Sequence, residues 1–131
     1  MTVEQQIKEY DSLLDLLEDL DREGITGLQR REAYTRFLNL QARKKGVPLH
    51  GVFELTPICN LDCKMCYVHL KPEQMGNQSL MPVKQWKALM TQAMDAGMMD
   101  ATLTGGECLT YAGFDELYMH LHAGGVKVSI R

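Results

Sequence analysis

Three residues with a clear capacity for chemistry, Cys59, Cys63 and Cys66, lie within eight residues of one another. Thiolates are soft ligands, and three of them in one short loop can converge on a soft metal centre. Zinc sites usually take their ligands from two separated pairs of cysteine or histidine residues, and the sequence contains no second cysteine pair. An iron–sulfur cubane bound by only three thiolates would keep one iron open for a substrate or cofactor.

A second group with chemical potential is Gly105-Gly106-Glu107, which follows a short apolar segment. Glycine allows the backbone to approach a ligand closely, and a carboxylate is a good acceptor for an ammonium group. Cys108 comes next and has three interpretations: an additional thiolate, a redox-active group, or a small buried apolar residue. The last of these is favoured.

The elements that must position these residues alternate along the second part of the chain. The pattern predicts a strand at residues 51–56, a helix at 82–96, a strand at 101–104, a helix at 114–123 and a strand at 126–130. This order predicts an α/β fold with three parallel strands and crossover helices. Three strands do not close a barrel, and a parallel sheet is normally covered on both faces. We therefore expect a truncated chain, a disordered or absent remainder, or a partner that covers the sheet, with self-association through the exposed sheet edge.

The first 47 residues have a different character and predict a helical hairpin or cap. Apolar residues at three- and four-residue spacing predict a first helix at residues 3–21, with a capping box formed by Thr2 and Gln5. A second helix is predicted to begin at Thr26 and to end at Gly46. The predicted apolar positions are Ile7, Tyr10, Leu13, Leu14, Leu17 and Leu20 in the first helix, and Leu28, Tyr34, Phe37, Leu38 and Leu40 in the second.

The composition limits the classes of partner. The 131 residues include 14 basic and 17 acidic side chains, a formal net charge of −3, which gives no reason to expect nucleic acid as a partner. The sequence has no apolar run of membrane-spanning length and no secretory signal. We therefore expect a cytoplasmic protein with reduced cysteines, which suits metal ligands better than disulfides.

The spacing Cys-x3-Cys-x2-Cys directly after a strand resembles that of the radical S-adenosylmethionine (SAM) superfamily. Gly105-Gly106-Glu107, at the end of the second strand, resembles the Gly-Gly-Glu motif of the same family. The resemblance covers residues 51–131 and implies that the chain is the first part of a radical SAM barrel. It also implies that Cys59, Cys63 and Cys66 bind three irons of a [4Fe–4S] cluster. SAM would chelate the fourth iron, with Gly105, Gly106 and Glu107 along its amino group.

The resemblance further implies a reaction. An external electron donor would reduce the cluster, and SAM would be cleaved to methionine and a 5′-deoxyadenosyl radical that abstracts hydrogen from a substrate. The family often has an aromatic residue near the adenine, just before the last cysteine. Here that residue is Met65, and Tyr67 follows the cysteine, so both are expected beside the cofactor. Tyr67-Val-His and the leading helical segment are similar to members that modify peptides. Without further barrel strands to exclude water, we expect weak turnover from this chain alone.

An alternative from a different class is a non-catalytic metal-binding module in which Cys108 is the fourth thiolate. A closed site of four thiolates would stabilise a small fold and keep no open position. Two other polar candidates have ordinary interpretations. Glu54 is predicted to face solvent, and His69 is predicted to be a solvated side chain of the cysteine-containing loop.

Overall fold

The computed structural model describes residues 12–66 and 70–131. The chain divides into two compact units, Met1–Val47 and Pro48–Arg131. In the described residues, no helix is both long enough and apolar enough to cross a membrane.

The described part of the first unit, residues 12–47, contains two helices, α1 (Leu13–Arg22) and α2 (Gly27–Lys45). Ser12 is extended, and its hydroxyl accepts a hydrogen bond from the amide of Asp15, so it caps the start of α1. The prediction of one continuous helix over residues 3–21 is therefore wrong at Ser12. The expected capping box of Thr2 and Gln5 lies outside the described residues. Gly46 ends α2 in the left-handed conformation, as predicted.

The apolar faces of these helices differ in part from the prediction. Leu16, Leu20, Ala33 and Phe37 form the buried cluster, whereas Leu14 is 71% exposed. Leu28 and Tyr34, which the prediction places on the apolar face of α2, are also exposed. Leucines occur on more than one side of α1, and its contact with α2 buries only one narrow stripe of them.

The second unit is a three-stranded parallel sheet with two crossover helices. Its elements are β1 (His50–Thr56), α3 (Val83–Asp95), β2 (Asp100–Gly105), α4 (Phe114–Ala123) and β3 (Lys127–Ile130). Short 3-10 helices occur at Pro72–Met75 and Cys108–Thr110. The strand order is β1-β2-β3, with both neighbouring pairs parallel. The predicted α/β fold with a partial barrel is confirmed.

The core of this unit lies between the helices and one face of the sheet. Phe53 and Leu103 are buried with the α3 residues Trp86 and Met90 and with Leu117 of α4. The rings of Phe53 and Trp86 meet edge to face, with centroids 6.1 Å apart, a favourable arrangement for aromatic rings. Trp86 and Met90, four residues apart, thus form the buried face of α3.

The opposite face of the sheet is more polar and partly open. Val52 is 63% exposed, and Glu54 and Ser129 are exposed as well. In the described sheet β1 and β3 are the edge strands. Self-association through these edges stays a prediction.

Candidate active site

The two groups of residues singled out above emerge at the same edge of the sheet. β1 and β2 are parallel, so their carboxyl ends lie side by side. The cysteine loop, here residues 57–70, leaves the end of β1, and the Gly-Gly-Glu segment, here residues 105–107, begins at the end of β2. In α/β sheets and barrels, ligand sites form at this edge.

The end of β1 carries an irregularity that changes which side chains are buried. Glu54 pairs with Thr104, but the next pairing joins Thr56 to Gly105, so Leu55 is an extra residue in β1. Leu55 and Thr56 are consecutive and both buried, which regular alternation does not allow. A bulge of this kind bends a strand and redirects the residues that follow, here the start of the cysteine loop.

Backbone hydrogen bonds join the Gly-Gly-Glu segment to the first residues of the cysteine loop. The amide of Gly106 donates to the carbonyl of Thr56 at 2.6 Å, and the amide of Glu107 donates to the carbonyl of Ile58 at 2.9 Å. A Cβ on Gly105 would lie 2.3 Å from the Thr56 carbonyl oxygen, and φ at Gly105 is +155°. A Cβ on Gly106 would lie 2.5 Å from the carbonyl oxygens of Pro57 and Ile58. Both positions therefore require glycine because the two chains approach closely.

The other side of residues 57–59 is also paired. The amide of Leu70 donates to the carbonyl of Pro57 at 2.8 Å, and the amide of Cys59 donates to the carbonyl of Leu70 at 3.1 Å. Ile58 and Leu70 form a parallel β-bridge. The base of the cysteine loop is thus closed, and Cys59 lies at that closed base.

The three cysteines of the loop are accessible but not assembled into a metal site. Cys59 is half-buried, Cys63 and Cys66 are exposed, and none of the four cysteines of the chain forms a disulfide. The amide of Cys66 donates to the carbonyl of Cys63 at 3.0 Å. Within residues 12–66 and 70–131, no three histidine, cysteine or acidic side chains lie close enough together to hold a metal ion. Three accessible soft donors in one loop nevertheless fit a thiolate-bound cluster, because such sites usually form when the metal binds.

Glu107 has a defined position at the end of β2. It is partly buried, and its Oε1 accepts a hydrogen bond from the amide of Leu109 at 3.0 Å, which caps the 3-10 helix Cys108–Thr110. The backbone carbonyl of Glu107 accepts from the hydroxyl of Thr110 at 2.7 Å. The carboxylate is therefore held at the sheet edge where the cysteine loop begins.

Cys108 has a structural role in this arrangement. It is fully buried, and its thiol lies 3.6 Å from the carbonyl oxygen of Leu103 and 3.7 Å from that of Arg131. Burial and, secondarily, the charge of Glu107 raise the pKa of the Cys108 thiol. A thiol that stays protonated and bonded to the backbone is a poor metal ligand. These contacts favour the interpretation of Cys108 as a small buried residue.

The residues expected near an adenine ring are less constrained. Met65 is 95% exposed, while Tyr67, together with the loop residue His69, lies outside the described residues. Sequence reasoning missed two residues of the site, Thr56 and Leu70, which hold the loop base. A polar residue at a strand end directly before Pro57 is the signal that could have indicated Thr56.

Comparison with known proteins decides the family. Residues 53–131, more than half of the chain, match the sequence profile of the Radical SAM superfamily. The chain belongs to the radical SAM superfamily. Members of this superfamily use a [4Fe–4S] cluster and SAM, so the predicted family and its cofactors are confirmed.

Among the relatives of this radical SAM chain is AlbA of Bacillus subtilis, an antilisterial bacteriocin subtilosin biosynthesis protein. It is 28% identical over 92% of this chain and 26% of its own length. The sporulation killing factor maturation protein SkfB of the same organism is 35% identical over 54% of this chain and 17% of its own length. The structure of Streptococcus suis SuiB bound to SAM matches with a TM-score of 0.56 and 22% identity, over 87% of this chain and 28% of that one. The chain spans about a quarter or less of the relatives' length.

Proposed function

We propose that this chain carries the cluster and cofactor site of a radical SAM enzyme. Cys59, Cys63 and Cys66 bind three irons of the [4Fe–4S] cluster, and Gly106 and Glu107 lie beside the amino group of SAM, with Gly105 next to them. The observation that carries this proposal is the pair of hydrogen bonds from the amides of Gly106 and Glu107 to the carbonyls of Thr56 and Ile58. These bonds hold the Gly-Gly-Glu segment against the base of the cysteine loop.

When bound, the cluster and SAM would supply the bond-breaking chemistry, the one-electron reductive cleavage of SAM to a radical that abstracts hydrogen from substrate. The residues of this chain would bind the cluster and SAM and orient them. The accessible thiols of the loop provide three soft ligands. The carboxylate of Glu107 accepts a hydrogen bond from the amide of Leu109, which fixes its orientation. It can accept a further hydrogen bond from an ammonium group.

The substrate that the relatives suggest is a peptide. AlbA is named for the biosynthesis of a bacteriocin, SkfB for the maturation of a killing factor, and a further relative from Streptomyces rochei is named a PqqA peptide cyclase. The match to AlbA extends over nearly the whole chain, including the helical unit. We therefore infer that this enzyme modifies a peptide, and Met65 and Tyr67 stay proposed contacts of SAM.

Anaerobic reconstitution of the chain with iron and sulfide tests the proposal. We expect about four irons and four sulfides per chain and an EPR spectrum of the reduced cluster that changes when SAM is added. Cys108→Ala is the matched control, because it removes a thiol outside the proposed ligand set and should load equally well. One zinc per chain, or a cluster spectrum indifferent to SAM, would contradict the proposal and favour a non-catalytic module.

A further inference from the structure

The proposed function does not use Thr56, the buried polar residue at the end of β1. Its side chain and backbone are almost completely inaccessible, at 1% exposure. Buried hydroxyl groups nearly always have a hydrogen-bond partner, because an unpaired one loses its hydration without compensation. The partners of Thr56 therefore indicate which parts of the structure it holds.

Thr56 contacts both halves of the proposed site. Its Oγ1 accepts a hydrogen bond from the amide of Ile58 at 3.0 Å, while its backbone carbonyl accepts from the amide of Gly106 at 2.6 Å. Pro57 has no N–H, so the amide of Ile58 is the first donor that the loop offers after β1. The side chain of Thr56 thus directs the loop, and its backbone holds the Gly-Gly-Glu segment.

The turn closed by the Thr56 hydroxyl also sets the direction of the next carbonyl group. A hydroxyl that accepts from the amide two residues later fixes the local backbone, as in turns made by serine and threonine. The carbonyl of Ile58 then receives the amide of Glu107 at 2.9 Å, and Cys59 follows directly. The position of Cys59 relative to Glu107 consequently depends on this turn, together with the bonds of Pro57 and Cys59 to Leu70.

We propose that Thr56 is a positioning residue. Its hydroxyl sets the direction of the backbone from the end of β1 to Cys59, and therefore the position of Cys59 relative to Glu107. This inference rests on the proposed function, because it concerns the geometry in which the first thiolate and the carboxylate meet the cluster and SAM. It predicts that loss of the hydroxyl weakens SAM binding while the sheet stays folded.

A purely structural role would give a different result, and Thr102 provides the comparison. Thr102 is a buried threonine of the same sheet, and its hydroxyl has a long contact of 3.4 Å with Nε2 of His50, away from the cysteine loop. Thr102→Val removes the same group as Thr56→Val and preserves the same shape. Thr56→Ser keeps the hydroxyl and should behave as the wild type does.

The first measurement is amide hydrogen exchange in the full chain without cluster. We expect the amide of Ile58 to be protected in the wild type and in Thr56→Ser, and to exchange about three- to tenfold faster in Thr56→Val, the loss expected for one hydrogen bond. Thr102→Val should not change it. If the wild-type amide exchanges as fast as those of the exposed loop residues, the inference is overturned, even if Thr56→Val does not fold.

The second measurement is an EPR titration of the reconstituted chain with SAM. Thr56→Val should retain about four irons and bind SAM about three- to tenfold more weakly, with the wild-type affinity restored in Thr56→Ser. If Thr56→Val and Thr102→Val bind SAM with equal affinity, the inference that Thr56 has a specific positioning role is overturned. A wild-type chain that loads no cluster would instead overturn the proposed function and the role of Thr56 in SAM binding, while the exchange data would still show whether the turn exists.

Discussion

The Gly-Gly-Glu segment and the cysteine loop leave the same edge of the sheet, yet they are held in different ways. The first is fixed by hydrogen bonds on Gly106 and Glu107 and by the carboxylate bond to Leu109. The second is fixed at its base, while Cys63 and Cys66 further along are exposed. The proposed cofactor half is therefore held by hydrogen bonds within the polypeptide, whereas the proposed ligand half is held at its base and leaves Cys63 and Cys66 exposed.

This difference agrees with the chemistry expected of each half. A hydrogen-bonding pocket for a small charged group gains affinity from groups that are already in place. Metal ligands can assemble as the metal binds, since the bonds formed stabilise the folded loop. The predictions below disturb one half at a time, and their effects should remain separate if the comparison is correct.

The largest effect is expected from Cys63→Ala. This change removes one of three proposed ligands, so the cluster should load to less than about a tenth of the wild-type level, in line with the strong dependence of metal sites on a complete ligand set. The thermal unfolding midpoint of the chain without cluster should stay unchanged, because Cys63 is exposed. Iron analysis and circular dichroism measure the two quantities. If Cys63→Ala binds as much iron as the wild type, the assignment of the cysteine loop as the ligand half of the site is wrong.

Gly106→Ala should disturb the Gly-Gly-Glu segment, the proposed cofactor half of the site. Its Cβ would overlap the carbonyl oxygens of Pro57 and Ile58 at 2.5 Å, and backbone can move less easily than a side chain. We expect a loss of about 1–3 kcal/mol in the free energy of unfolding, typical of overpacking, together with weaker SAM binding. Urea denaturation measures the first quantity.

Gly124→Ala is the matched control for Gly106→Ala. A Cβ on Gly124 would also lie very close to a neighbour, the sulfur of Met94 at 2.3 Å, but a methionine side chain can move aside. Its effect on stability should be small. Equal losses from the two glycine variants would mean that the approach of the Gly-Gly-Glu segment to the loop is no more rigid than a side-chain contact.

The sequence predicts the second unit well because its signals are local and regular. The helix predicted at residues 114–123 is found there, and the alternation of strands and helices leads directly to the parallel sheet. The cysteine loop and the Gly-Gly-Glu segment each follow a predicted strand, and both lie at the carboxyl edge of the sheet. These features depend on residues close together in the chain.

The features that the sequence does not predict depend on contacts between distant residues. The bulge at Leu55 and the bond from Gly106 to Thr56 join segments about fifty residues apart, and no periodic pattern encodes them. Leu14 and Leu28 were assigned to buried faces but are exposed, since an apolar residue is buried only where another element covers it.

Cys108→Ala changes a buried residue beside the site that is not a proposed ligand, and its effect on the free energy of unfolding should be moderate. The thiol fills a fully buried position near the backbone carbonyls of Leu103 and Arg131, so its loss leaves a small cavity and should cost about 1 kcal/mol. Cluster loading and the response to SAM should be unchanged. A fall in bound iron comparable with that expected of Cys63→Ala would place Cys108 among the ligands and reverse the assignment made from its burial.

The smallest effect expected is a dependence of stability on alkaline pH. Burial raises the pKa of the Cys108 thiol and of the Tyr111 hydroxyl, so the folded chain holds these protons more tightly than the unfolded chain does. Their contribution to stability is complete below about pH 8.5, the ordinary pKa of a thiol, and is lost as the pH rises through the folded pKa values. Urea denaturation from pH 7 to 10 should show a decline above about pH 8.5, and a smaller one in Cys108→Ala. An identical decline in that variant would show that Cys108 is not its source.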